Sequence, residues 1–83
     1  MSANQWQWVI VPPQKIGNQV WQAIVGKRVF MVIRQRSDNK FYTYYCETRA
    51  SKPIRFGARC PNLQQAEMAC HIKLKEILRM QTM

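Results

Sequence analysis

The feature that most constrains the fold is a single change of periodicity near Pro61 and Asn62. Before this point, residues 20–48 are rich in β-branched and aromatic side chains, which favour strands. After it, apolar residues recur every three or four positions, as on one face of a helix. A run of strands followed by one helix predicts an α+β fold: an antiparallel sheet of three to five strands with one C-terminal α-helix packed across one face.

The helix is predicted over residues 62–80. Asn62 suits the N-cap because its side chain can accept a hydrogen bond from the first turn, and Gln65 stands three residues later as in a capping box. The stripe predicted to face the sheet consists of Leu63, Ala66, Cys70, Leu74, Ile77 and Leu78. Met68 and Ile72 project to the far side, one helical turn apart. They are either isolated surface residues or part of a contact with another protein or a second copy.

Two turns divide residues 20–60 into a β-meander. Gly26 and Lys27 stand between two apolar runs, which suits a tight hairpin; a glycine bulge within one long strand is the alternative. Asp38 and Asn39 mark the second turn, because both residue types bond to nearby backbone and tolerate the left-handed region. A last short strand is predicted over residues 54–59.

The N-terminal residues 1–19 are predicted to form an edge strand or an extended arm. Residues 5–11 alternate polar and aromatic side chains before becoming fully apolar, and two prolines then end the run. Trp6 and Trp8 belong to this segment, and we expect them to be exposed. Exposed tryptophans are favoured anchors for a protein partner.

Length and composition bound the class of protein. Residues 1–83 fit a single domain, and a 47% share of apolar residues is too large for a disordered tail. No apolar run approaches the ~20 residues that span a bilayer, and the first residues lack a signal-peptide pattern. Cys46, Cys60 and Cys70 lack paired metal-ligand spacing and suit a reducing compartment. We therefore expect a soluble cytoplasmic protein with no metal, no cofactor and no membrane partner.

Few residues are available for catalysis. The chain has four carboxylates and one histidine, and it lacks the common phosphate-loop, dinucleotide and zinc-protease motifs. Glu67 and His71 are four residues apart on the helix, a spacing typical of a surface ion pair. Cys70 is next to His71 in sequence but projects about 100° away on a helix, so the two do not form a dyad. The sequence predicts a non-enzymatic binding protein without catalytic residues.

The charge is the main functional clue. Thirteen Lys and Arg against four Asp and Glu give a net charge of +9, which favours a polyanionic partner. Arg34 and Arg36 share one strand face, and the turn brings Lys40 beside them, with tyrosines close by if the register allows. Cations interleaved with tyrosines are typical of nucleic-acid surfaces. The predicted nucleic-acid site comprises Lys27, Arg28, Arg34, Arg36, Lys40, Tyr42, Tyr44, Arg49, Lys52 and Arg55.

Double-stranded DNA bound through the basic hairpin, residues 28–40, and the loop over residues 49–55 is the leading hypothesis, because a two-stranded ribbon fits the major groove. A charged sheet face can also be merely solvated, although such a face normally mixes both signs. A second hypothesis is a small inhibitor or accessory factor that docks on a host protein. Its predicted contact residues are Met68, Ile72, Trp6 and Trp8. A third is RNA binding, with Tyr42 and Tyr44 as stacking platforms.

The junction between the last strand and the helix resembles that of a known family. It reads FGARCP over residues 56–61 and NLQQAE over residues 62–67, where the family ends a strand before a T-x-x-E-A-like helix start. Residues 20–80 thus resemble the small DNA-binding domains at the N-termini of tyrosine recombinases and the related AP2-type domains. The resemblance implies a sheet in the DNA major groove and a setting among phage and mobile-element proteins. By the same resemblance, the residues near DNA are Arg28, Arg34, Arg36 and Lys40.

Overall fold

The computed structural model describes residues 6–13 and 15–81. The strands form one antiparallel sheet in the order of the chain, and a helix packs against one of its faces. The elements are β1 (Val9–Val11), β2 (Gln19–Val25), β3 (Arg28–Arg34), β4 (Phe41–Cys46), β5 (Ile54–Cys60) and α1 (Leu63–Gln81). The predicted α+β fold is confirmed, with the largest number of strands expected. Gln5, the first residue of the predicted N-terminal strand, lies outside the described residues.

Both predicted turns form hairpins. Gly26 has a φ of 63°, a left-handed conformation that costs glycine little, and β2 and β3 pair on either side of it. In the second turn, Asp38 Oδ1 accepts a hydrogen bond of 3.0 Å from the backbone N–H of Lys40. Asn39 adopts a φ of 58°. These are the local bonding and the backbone region for which Asp and Asn are favoured in turns.

The core lies between the sheet and the helix. Phe30 and Val32 of β3 are fully buried and belong to one cluster with Ala66 and Cys70 of α1. Because successive strand residues point to opposite faces, alternate residues of the neighbouring strands share this helix-facing side. The rings around Phe30 have centroid distances of 4.9 Å for Trp6, 6.0 Å for Tyr45 and 6.4 Å for Phe56.

The N-terminal segment joins the sheet and also packs on the core. β1 pairs with β2 over Val9–Val11 only. Trp6 and Trp8 are half-buried against the core cluster, which corrects the expectation that they are exposed. The ring centroid of Trp6 lies 5.8 Å from that of Trp8 and 4.0 Å from that of His71 on α1. Burial is favoured because each indole removes a large apolar area from water in a domain with a small core.

Helix α1 begins directly after Asn62, as predicted. Five of the six stripe residues lie in or against the core cluster; the exception is Leu78, which is 46% exposed. Leu78 projects roughly 70° from the middle of the stripe and so falls at its edge. Met68 and Ile72 are exposed on the far side, as predicted. Within residues 6–13 and 15–81, no helix is both long enough and apolar enough to cross a membrane.

Replacing Asn62 by Ala is expected to lower the free energy of unfolding by about 1 kcal/mol. The reason is that Asn62 Oδ1 accepts a hydrogen bond of 2.8 Å from the backbone N–H of Gln65, which alanine cannot replace. Urea unfolding followed by circular dichroism measures the difference. The matched control is Asn62→Asp, which keeps an acceptor oxygen and should remain close to the wild type. Equal stability of Asn62→Ala and the wild type would contradict the capping role.

Candidate functional site

The face of the sheet opposite the helix is a candidate binding surface, and we call it the open face. The alternate residues of the strands point to this face, among them Val20, Met31, Ile33 and Tyr44. They line a groove of about 540 Å³ that α1 leaves uncovered. The amide side chains of Gln22 and Gln35, together with Lys15 and Pro53, complete much of the lining. The groove therefore has an apolar floor with a few polar groups at its sides.

Two arginines of β5 meet a tyrosine of β4 on the open face. The guanidinium carbon of Arg55 lies 4.6 Å from the ring centroid of Tyr42, in cation–π geometry. The Tyr42 hydroxyl donates a hydrogen bond to Asp38 Oδ2, and Arg59 Nη1 lies 4.0 Å from the same oxygen. We call Tyr42, Arg55 and Arg59 the arginine–tyrosine cluster. The Arg59 side chain is 62% exposed, so its charge remains available to a ligand.

A bulge in β5 places Arg55 and Arg59 on the same side of the sheet. Thr43 pairs with Phe56, but Phe41, two residues before Thr43, pairs with Cys60, four residues after Phe56. The extra length contains Gly57 at a φ of 67°, where a side chain would be strained. The Thr43 hydroxyl donates a hydrogen bond of 2.7 Å to the Phe56 carbonyl and holds β5 to β4 there. The arginines on either side of the bulge consequently share the open face.

More cations border the groove at the β1 and β2 side of the sheet. Lys15 lines the groove, and with Arg36 it also lines a smaller adjoining pocket. The Arg36 side chain packs over Gly17, which has a φ of 91°, and a Cβ at Gly17 would collide with Arg36 Cδ. The Arg36 backbone N–H donates a hydrogen bond of 3.0 Å to Asn18 Oδ1. Cations thus border the open face on both sides.

Three of the four carboxylates lie away from the open face. Glu47 pairs with Arg28, which alternation places on the helix-facing side, and Glu67 and Glu76 lie on α1. Asp38 borders the open face, and its pKa is held below the ordinary value by hydrogen bonds from the Tyr42 hydroxyl and a backbone N–H. One carboxylate among several cations leaves the open face with a positive potential.

Arg28 is buried and is therefore not available at the predicted hairpin site. Only 6% of the residue is exposed, and Arg28 Nε donates a hydrogen bond of 3.0 Å to Glu47 Oε1. Arg28 Nη2 is buried and finds no hydrogen-bond partner among the described residues. Burial on the helix-facing side keeps this guanidinium away from an external phosphate.

Arg34 also makes internal contacts. It donates hydrogen bonds of 2.7 Å to Asn39 Oδ1 and 2.9 Å to Gln19 Oε1. Arg34 pairs with Phe41 of β4, whereas Tyr42 and Tyr44 of the same strand point to the open face. The tyrosines are expected beside Arg34 only if the register allows it, and the register places them on the opposite side of the sheet from Arg34.

The remaining predicted residues are distributed over the surface. Lys27 is exposed in the β2–β3 turn, Lys40 is half-buried before β4, and Arg49 and Lys52 are exposed in the β4–β5 loop. Sequence reasoning missed Arg59 and Lys15. Gly57 within the predicted last strand was the available signal for Arg59, because an isolated glycine there indicates a bulge.

The cysteines lack the features of reactive thiols. Cys46, Cys60 and Cys70 are free and buried. Burial raises the pKa of Cys70 to about 12, so its thiol is protonated at neutral pH and is a weak nucleophile. Within the part of the chain that the structure describes, no group of three or more His, Cys, Asp or Glu residues could hold a metal ion.

His71 couples the stability of the domain to pH. Burial lowers the pKa of His71 below its ordinary value; Glu67 opposes this shift, and Lys75 adds to it. The unfolded chain therefore binds a proton at a higher pH than the folded protein does, so the stabilising effect of neutral His71 is complete above about pH 6.5. It is lost as the pH falls from there through the lowered pKa.

We expect the free energy of unfolding, measured with urea, to decrease from pH 7.5 to pH 5.5. The decrease should be smaller in His71→Gln than in the wild type, because glutamine does not titrate. The ring of His71 packs against that of Trp6 at a centroid distance of 4.0 Å, so tryptophan fluorescence is a suitable probe. The same pH dependence in both proteins would show that His71 is not the group responsible.

Comparisons with known proteins give no family for this chain. No family model, no curated protein and no solved structure matches it. The likeness of the strand–helix junction to the tyrosine-recombinase and AP2-type domains thus stays an expectation. The features of this chain that bear on its function are the open face, its groove and the cations around it.

Proposed function

We propose that the protein binds nucleic acid, without catalysis, through the open face and the cations that border it. The observation that carries the proposal is the arginine–tyrosine cluster: Arg55 on the Tyr42 ring, with Arg59 exposed beside it. Arginine and lysine neutralise phosphates, and aromatic or guanidinium planes stack on bases. The net charge of +9 supports the same class of partner.

The hypothesis of duplex DNA bound through residues 28–40 has less support than binding at the open face. Two of its central cations, Arg28 and Arg34, lie on the helix-facing side of the sheet, where they donate hydrogen bonds within the chain. The open face offers Arg55, which belongs to the predicted set, together with Arg59 and Lys15. Duplex DNA remains one arm of the test. A cytoplasmic setting of phage or mobile-element type is proposed from the sequence pattern alone.

The testing experiment is fluorescence anisotropy of the nuclease-treated protein with labelled duplex DNA, single-stranded DNA and RNA over a salt series. We expect binding that weakens steeply as salt rises, because phosphate contacts release counterions. No binding to any of the three at low salt would contradict the proposal.

A second candidate function is a protein contact on the outer side of α1. Met68 is 56% exposed and Ile72 is 52% exposed, one turn apart. Exposed methionine and isoleucine side chains are suited to an interface. Analytical ultracentrifugation tests the self-association form of this candidate: a dimer in the wild type should become a monomer in Met68→Glu/Ile72→Glu. A monomeric wild type at high concentration would exclude that form.

A further inference from the structure

We infer that the groove of the open face takes an unpaired nucleobase, so that the preferred partner is a single strand of DNA or RNA rather than a duplex. This inference rests on the proposed function and assigns its substrate class. The base stacks against Tyr44 over an apolar floor, while cations on both sides of the groove hold the neighbouring phosphates.

The floor of the groove sets the chemistry of the occupant. Val20, Met31 and Ile33 present aliphatic groups that form no hydrogen bonds with phosphates or with the edges of paired bases. An unpaired base offers its flat, weakly polar face, whereas a duplex hides these faces in its stack. The groove, at about 540 Å³, has room for a base and its sugar.

Tyr44 supplies the stacking surface. It is half-buried on β4, next to Met31 of β3 on one side and Arg55 of β5 on the other. It therefore stands between the apolar groove and the arginine–tyrosine cluster. Tyr42 is less suited to this role because it is 8% exposed and Arg55 covers its ring.

Amides and cations complete the site. Gln22 and Gln35 line the groove, and each amide offers donors and an acceptor to the edge of a base. Lys15 lines the groove on one side, and Arg55 and Arg59 lie on the other. A nucleic-acid strand that crosses the groove therefore contacts cations on both sides of the stacked base.

The charge argues for a nucleic acid over a second copy of the chain. Two open faces that each carry a positive border repel one another, and the chain has a net charge of +9. A phosphodiester strand brings a negative charge for each nucleotide, together with an apolar base face. A nucleic-acid strand thus complements both the positive charge around the groove and its apolar floor.

The test measures anisotropy with a labelled single strand of 12 nucleotides, as DNA and as RNA. The comparison ligands are the matched duplex and the same strand with central abasic sites. We expect the wild type to prefer the single strand to the duplex by at least about tenfold and to lose affinity when the central bases are removed. Tyr44→Leu should weaken single-strand binding by about tenfold with an unchanged salt slope, because no charge is removed. Tyr44→Phe keeps the ring and should bind like the wild type. Circular dichroism melting confirms that each variant folds.

The outcomes separate this inference from the proposed function. Equal, salt-dependent binding of duplex and single strand, or single-strand binding that Tyr44→Leu leaves unchanged, would overturn the inference and leave the proposed function standing. No binding of any nucleic acid would overturn both. If a peptide of alternating Glu and Leu binds in a Tyr44-dependent manner and the oligonucleotides do not, the occupant is a protein segment and the inference is wrong.

Discussion

The double variant Arg55→Gln/Arg59→Gln is expected to bind nucleic acid at least about tenfold more weakly near 0.1 M salt, with a salt slope smaller by roughly 1 to 1.5. Both arginines are on the open face, and each can neutralise one phosphate of a bound strand. Each lost phosphate contact on a single strand removes about 0.7 from the slope. Anisotropy titrations at four or more salt concentrations measure both quantities.

The matched control is Lys27→Gln/Lys75→Gln. It removes the same net charge from exposed positions in the β2–β3 turn and on α1. We expect the control to bind more tightly than Arg55→Gln/Arg59→Gln at every salt concentration. Equal losses in the two double variants would show that total charge, and not the arginine–tyrosine cluster, determines binding. Retained affinity in Arg55→Gln/Arg59→Gln would remove this cluster from the binding site.

Phe30→Ala is expected to lower the free energy of unfolding by about 3–5 kcal/mol, because it removes a buried ring and leaves a cavity. Phe30 is 0% exposed and lies at the centre of a group of rings that includes Trp6, Tyr45 and Phe56. Such a loss is a large part of the stability of a small domain, which is about 5–15 kcal/mol. Urea unfolding followed by tryptophan fluorescence measures it.

Two further variants bracket this effect. Phe30→Leu keeps most of the volume and should cost about 1.5 kcal/mol or less, which gives a measurable value even if Phe30→Ala is largely unfolded. Ile16→Ala, at a position that is 92% exposed, should stay within about 0.5 kcal/mol of the wild type. A loss below about 1 kcal/mol for Phe30→Ala would contradict a core centred on Phe30.

The open face could be predicted only in part, because the pattern of residues and charges is visible in the sequence and the register between strands is not. Arg55 and Tyr44 belonged to the predicted nucleic-acid set, since a period of two and an excess of cations are visible in the chain. Arg59 became a neighbour of Tyr42 through the bulge at Gly57, which changes the register. Register between strands depends on contacts distant in sequence, so local patterns do not determine it.

Local chemistry determined much of this protein directly from its sequence. Asn62 starts the helix and Asp38 closes a turn because each side chain bonds to backbone only two or three residues away. The change from strand to helix periodicity determined the α+β class, and the excess of cations determined the sign of the surface charge. These properties depend on neighbours in the chain or on composition.

The tertiary structure decided which charges face solvent and which sheet face stays open. Arg28 and Arg55 look alike in the sequence, yet one is buried against Glu47 and the other covers Tyr42 on the open face. Trp6 reaches Phe30 and His71 across the fold and becomes part of the core. The physical reason is that burial and ion pairing are set by residues far apart in sequence, which only the packed sheet and helix bring together.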